Sequence, residues 1–88
     1  MNLVILRRAR KQLEKLPKIK QIIVGQKVRS LALESEISNL ESLSGHKNYY
    51  RARVGDYRII FRREEGEVMV VVIGHRKEVY RLFEQLLK

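Results

Sequence analysis

Apolar and polar residues alternate over residues 49–61, and the alternation is interrupted once, at Gly55-Asp56. Two such runs around a Gly-Asp pair predict a β-hairpin with a two-residue turn. Val54 then faces Tyr57, Arg53 faces Arg58, Ala52 faces Ile59, Arg51 faces Ile60 and Tyr50 faces Phe61. Because successive strand side chains point to opposite sides, Tyr50, Ala52, Val54, Tyr57, Ile59 and Phe61 share an apolar surface. Tyr49, Arg51, Arg53, Arg58, Ile60 and Arg62 share the other, which is cationic.

Glu65-Gly66 predicts a second turn, with residues 68–73 as the returning strand. A two-residue register pairs Phe61 with Val70, Ile59 with Val72 and Arg58 with Ile73. The apolar surface is thereby expected to continue through Val70 and Val72. His75 is expected on the cationic side, near Arg53 and Arg58.

The rest of the chain supplies shorter signals. Leu3-Val4-Ile5-Leu6 is too short an apolar run for a helix and reads as a buried strand. Ala9, Leu13 and Leu16 recur at helical spacing over residues 8–16, and Pro17 ends that helix. A second helix is expected over 18–34, with Ile19, Ile22 and Ile23 on one stripe and Val24, Val28 and Leu31 on another. Two apolar sides predict contact with both the sheet and the first helix. Residues 35–47, anchored by Leu40 and Leu43, read as a loop. Val79, Leu82, Phe83 and Leu86 fall at i, i+3, i+4 and i+7, an amphipathic helix that closes the chain.

The order β-α-α-β-β-β-α predicts an α+β fold: an antiparallel three-strand meander plus an N-terminal strand, with the helices packed on the apolar face. No repeat, linker or low-complexity tract divides the sequence, so residues 1–88 are expected to form a single domain.

Composition changes the picture mainly through charge. With 44% hydrophobic and 33% charged residues, the 88-residue chain has the balance of a soluble globular domain. Nineteen Lys and Arg against ten Asp and Glu give a net charge of +9, which points to a polyanionic partner, nucleic acid first and an acidic protein second. The absence of cysteine excludes disulfides and thiolate metal sites. The N-terminus lacks the apolar run of a signal peptide, and no segment approaches a membrane span. A cytoplasmic protein is expected, without membrane contact.

Arginines gathered on one exposed sheet face repel one another unless an anion lies among them, and guanidinium groups match phosphate bidentately. At these residues the sequence resembles the RelE branch of the RelE/ParE toxin superfamily. The likeness is most specific in Tyr50-Arg51-Ala52-Arg53-Val54-Gly55-Asp56-Tyr57-Arg58-Ile59-Ile60-Phe61 and in Gly74-His75-Arg76-Lys77-Glu78-Val79-Tyr80, with Leu13-Glu14-Lys15-Leu16-Pro17 similar to the end of the family's first helix.

The resemblance implies a toxin of a toxin-antitoxin pair, a RelE-like fold and a metal-independent endoribonuclease without cofactor. It would cut mRNA on the ribosome, at the A site, through attack of a ribose 2′-hydroxyl on the adjacent phosphorus, and so inhibit translation. It implies catalytic roles for Arg58, which would contact the scissile phosphate, Arg76, at a second phosphate or the leaving group, and Tyr80, as general base. Arg51 and Arg53 stand where the family places basic residues that bind RNA or steady the attacking oxygen, and Arg62 and Lys47 join them as RNA-binding candidates. Free tyrosine ionises near pH 10 and needs neighbouring cations to act as a base, whereas an imidazole, near 6.5, exchanges protons without that help, so His75 is a second catalytic candidate. The implied partner is a cognate acidic antitoxin in a heterodimer or heterotetramer, and DNA is reached only through it. The alternatives are a ParE-like DNA gyrase inhibitor without nuclease activity and a degenerate, non-toxic RNA-binding or regulatory member.

Overall fold

A computed structural model describes residues 1–33 and 40–88. The elements are β1 (Asn2–Ile5), α1 (Arg7–Glu14), α2 (Lys18–Leu33), β2 (Glu41–Ser42), β3 (Tyr49–Val54), β4 (Tyr57–Glu64), β5 (Glu67–His75) and α3 (Val79–Leu87). Glu34 and the first part of the loop expected over 35–47 lie outside the described residues. The remainder of that loop contains β2, a strand too short to leave a periodic signal. The strands form one sheet in the order β1-β5-β4-β3-β2, with β1 parallel to β5 and the other pairs antiparallel.

The first hairpin has the register that its alternation dictates, from Val54 opposite Tyr57 to Tyr49 opposite Arg62. Gly55 turns the chain with φ at 57°, a conformation that residues with a Cβ adopt only under strain. The second hairpin departs from expectation. Glu64 through Phe61 pair with Glu67 through Val70 as predicted, but a β-bulge follows, and Ile60 pairs with Val72, Ile59 with Ile73 and Tyr57 with His75. One extra residue on β5 inverts the parity of everything beyond it. Ile73, not Val72, therefore continues the first apolar surface, and Val72 points to the opposite side.

That inversion accompanies a second correction. The helices do not all pack on one face: α1 and α2 cover the surface of Ala52, Ile59, Phe61, Val70 and Ile73, whereas α3 covers the other, where Ile60, Val71, Val72, Val79 and Phe83 form a separate apolar cluster. β5 is thus covered on both sides over most of its length, which explains its unbroken run of apolar residues. On the first face, α2 is also simpler than its two stripes suggest. Val24, Val28 and Leu31 are buried, while Ile19, Ile22 and Ile23 are exposed. Where β1 ends, Gln12 of α1 takes over the edge of β5, its Oε1 accepting the Ile73 N–H at 2.8 Å.

Phe83 is the keystone of α3. It is nearly fully buried, and its ring meets those of His46 and Tyr49 at centroid distances of 5.1 and 5.2 Å. His46 is half-buried as part of that contact. Phe83→Ala is expected to cost about 3–5 kcal/mol, a large share of the stability of a small domain. Urea denaturation of the two proteins checks this.

Candidate functional site

On the α3 side of the sheet, strand alternation sends Arg51, Arg53 and Arg58 outward beyond the edge of that helix. Arg53 and Arg58 face each other across the first hairpin. Arg58 is fixed by its own turn, with Nη1 donating to the carbonyls of Gly55 at 2.8 Å and Tyr57 at 2.9 Å. The neighbouring loop is tied to the same turn, because the Arg76 N–H donates to the Asp56 carbonyl at 2.7 Å and the two side chains form an ion pair at 3.8 Å. Arg76 is thereby held beside Arg58.

Gly74 lets α3 settle onto β5. A Cβ there would stand 3.3 Å from Leu82 Cδ1 and 3.7 Å from the Val79 Cα. The close approach brings Tyr80, in the first turn of α3, against β3, and its Oη accepts a hydrogen bond from Arg51 Nη1 at 2.5 Å. Glu41, opposite Arg51 on β2, accepts two more from the same guanidinium on one oxygen, from Nε at 2.8 Å and from Nη2. Glu41, Arg51, Arg53, Arg58, Arg76, Lys77 and Tyr80 line an open hollow of about 330 Å³.

The electrostatics follow from this arrangement. Glu41 is held below its ordinary value of 4.5, first by the hydrogen bond from Arg51, then by that residue's charge and more weakly by those of Arg53 and Arg58. Arg51 is pushed above its usual range, first by Glu41 and then by Tyr80, so it stays charged. Since the folded value of Glu41 lies below the unfolded one, its bond to Arg51 is present above the unfolded value and is lost as pH falls through the folded one. The carboxyl ¹³C resonance of Glu41 is expected to titrate with a midpoint under 4.5, and Arg51→Gln is expected to move that midpoint upward.

Five of the eight residues singled out in the sequence meet in the hollow: Arg51, Arg53, Arg58, Arg76 and Tyr80. Three do not. His75 is paired with Tyr57 and stands edge-on to it, 6.0 Å between centroids, so the bulge has carried the imidazole to the α1 and α2 side. Arg62 lies further along the cationic strand face, ion-paired with Glu64 and over the Tyr49 ring. Lys47 is exposed in the turn that precedes β3. Glu41 and Lys77 are the lining residues that sequence reasoning missed. Glu41 lies ten residues before Arg51, and only the short β2 pairing reveals it. Among the described residues no group of three or more His, Cys, Asp or Glu side chains is placed to hold a metal ion, and no helix is long and apolar enough to cross a membrane.

Residues 3–80 match the family model for the ParE toxin of type II toxin-antitoxin systems, parDE. Over 63 residues, 72% of each chain, the sequence is 30% identical to toxin RelE3 of Methanocaldococcus jannaschii. The RelB-RelE antitoxin-toxin complex from Methanococcus jannaschii contains a chain that is 26% identical, with a TM-score of 0.64 over 91% of this chain and 98% of that one. A chain of the RelBE2 toxin-antitoxin complex from Mycobacterium tuberculosis shares the fold at 22% identity, with a TM-score of 0.73 over 85% and 90%.

Proposed function

This chain belongs to the ParE toxin family of type II toxin-antitoxin systems, and we propose that it acts within that family as a RelE-like endoribonuclease that cleaves mRNA on the ribosome. What supports this reading best is one contact. The Tyr80 hydroxyl, bonded to Arg51 at 2.5 Å, shares a hollow with Arg53, Arg58 and Arg76, so a hydroxyl and several phosphate-matching groups converge on one space.

In this reaction a ribose 2′-hydroxyl attacks the adjacent phosphorus and the bond to the 5′-oxygen breaks. A 2′,3′-cyclic phosphate results, and the departing 5′-oxygen takes a proton from solvent to become a 5′-hydroxyl. Tyr80 acts as the base in its phenolate form, supported by the Arg51 donor at its oxygen, and becomes the neutral phenol as it takes the 2′ proton. Arg58 and Arg76 hold the non-bridging oxygens, whose negative charge increases as the phosphorane-like state forms. Arg53 holds a flanking phosphate. His75 receives no role, because its ring stands on the other side of the sheet.

The partner that restrains such a toxin is an acidic antitoxin, as RelB partners RelE in the complexes above, and a net charge of +9 suits it as well as it suits RNA. The toxin then works in the cytoplasm, where its messages are. The match to the ParE model supports a second reading, inhibition of DNA gyrase without chemistry.

A translation extract and a gyrase supercoiling assay, run with the same purified protein, separate the two. The expected result is new 5′-hydroxyl ends within the coding sequence, abolished by the cognate antitoxin, with supercoiling undisturbed throughout. Intact messages with gyrase inhibited would reverse the assignment.

A further inference from the structure

We propose that Glu41 is an internal stand-in for the RNA phosphate: its carboxylate occupies the fork of Arg51 until a nucleotide chain displaces it. This deepens the nuclease reading and rests on it. Glu41 becomes a positioning residue, acting through Arg51.

Four observations carry the inference. Glu41 is the only acidic side chain among the described residues that line the hollow, where every other charged group is cationic. Its Oε2 accepts from both Nε and Nη2 of Arg51, which is the pair of donors that a guanidinium offers to a phosphate. The remaining Nη1 is on Tyr80, so the contact fixes the orientation of the guanidinium toward the phenol. Finally, the bond is easily exchanged. The Glu41 side chain is 55% exposed and Arg51 38%, and solvent-exposed ion pairs are weak, so an incoming polyanion held also by Arg53, Arg58 and Arg76 outcompetes one carboxylate.

Two consequences oppose each other. Bound to Arg51, Glu41 lowers the attraction of the hollow for RNA. It also keeps Arg51 and Tyr80 aligned, which favours the chemical step once RNA has arrived. Removing its charge is therefore expected to tighten binding and slow catalysis together, a pairing that general loss of structure does not produce.

The test uses the full chain as wild type, Glu41→Gln, Glu41→Asp and Arg51→Ala, plus the double variant of Glu41→Gln with Arg51→Ala. A fluorescent RNA oligonucleotide with every 2′-oxygen methylated serves as the uncleavable probe, and anisotropy gives Kd over a range of salt. Glu41→Gln is expected to bind about three- to fivefold tighter, with a salt dependence steeper by about 0.7 in the logarithmic slope, the share of one further phosphate contact on a single strand. Glu41→Asp is expected to restore the wild-type slope. Single-turnover cleavage of ribosome-bound message at saturating toxin is expected to be slower in Glu41→Gln. Glu65→Gln, in the exposed turn before β5, is the control for net charge, and its Kd is expected to stay within twofold of the wild type. Equal or weaker binding by Glu41→Gln overturns the proposal, as does tightening that persists in the Arg51→Ala background or is matched by Glu65→Gln. If the wild type and all variants fail to bind the probe while messages are still cleaved in the translation extract, this inference falls and the nuclease reading stands; if messages stay intact as well, both fall.

Discussion

Arg58→Ala is expected to lower the single-turnover rate of message cleavage by about 100-fold or more, the usual cost of losing a preorganised donor to a developing oxyanion. The expectation rests on where the guanidinium is held. Nη1 is committed to the carbonyls of Gly55 and Tyr57, so the group lines the hollow in one orientation and undergoes little reorganisation when negative charge builds up on the phosphate. Alanine removes the charge and the orientation together. Arg58→Lys keeps the charge but not the planar fork, and is expected to fall between the two. The fold is expected to survive, since two hydrogen bonds at a turn are worth about 1 kcal/mol each. A thermal melt beside the rate measurement separates inactivity from unfolding. Cleavage by Arg58→Ala within threefold of the wild type would remove Arg58 from the chemistry.

Tyr80→Phe is the second large effect expected, a loss of about 100-fold or more, in the range for removal of a general base. The ring is partly buried within the apolar cluster under α3, so phenylalanine keeps the packing and deletes only the oxygen that Arg51 contacts. His75→Gln is the paired control. Its ring lies against Tyr57, across the sheet from the hollow, and the rate is expected to stay within about threefold of the wild type, because no proton-transfer contribution is lost. If the histidine variant loses activity and the tyrosine variant keeps it, the proton passes through the imidazole and the geometry of the free protein is not that of the reacting complex.

Much of the first hairpin was legible because its sequence alternates cleanly. Each residue on one surface is apolar, and most on the other are arginine, so parity alone fixed the register from Tyr49 to Arg62. The closing helix was legible for the same kind of reason, with four apolar positions at helical spacing.

The second hairpin was not. Residues 68–73 are all apolar, and a run that is buried from both sides carries no alternation from which a bulge can be detected. The same run, taken as a signal of two-sided burial, argues for a helix on each face, which is what the packing shows. Glu41 stayed hidden for a different reason. A two-residue strand has no period, and its partner becomes visible only when the sheet edge is assembled. Ile19, Ile22 and Ile23 misled because an apolar stripe records a need for cover without recording which molecule supplies it.

The bulge on β5 has an evolutionary corollary. Upstream of it, odd and even positions of the strand address one pair of surroundings; downstream, the assignments are swapped, so the core and the hollow are encoded out of phase along a single segment. Removing or adding one residue between Val70 and Gly74 would turn Ile73 toward α3 and rotate the helix-seating glycine to the wrong side, even if every remaining amino acid were left as it is. The number of residues in this stretch is therefore expected to be conserved more strictly than their identities, and indels there to be rarer than substitutions.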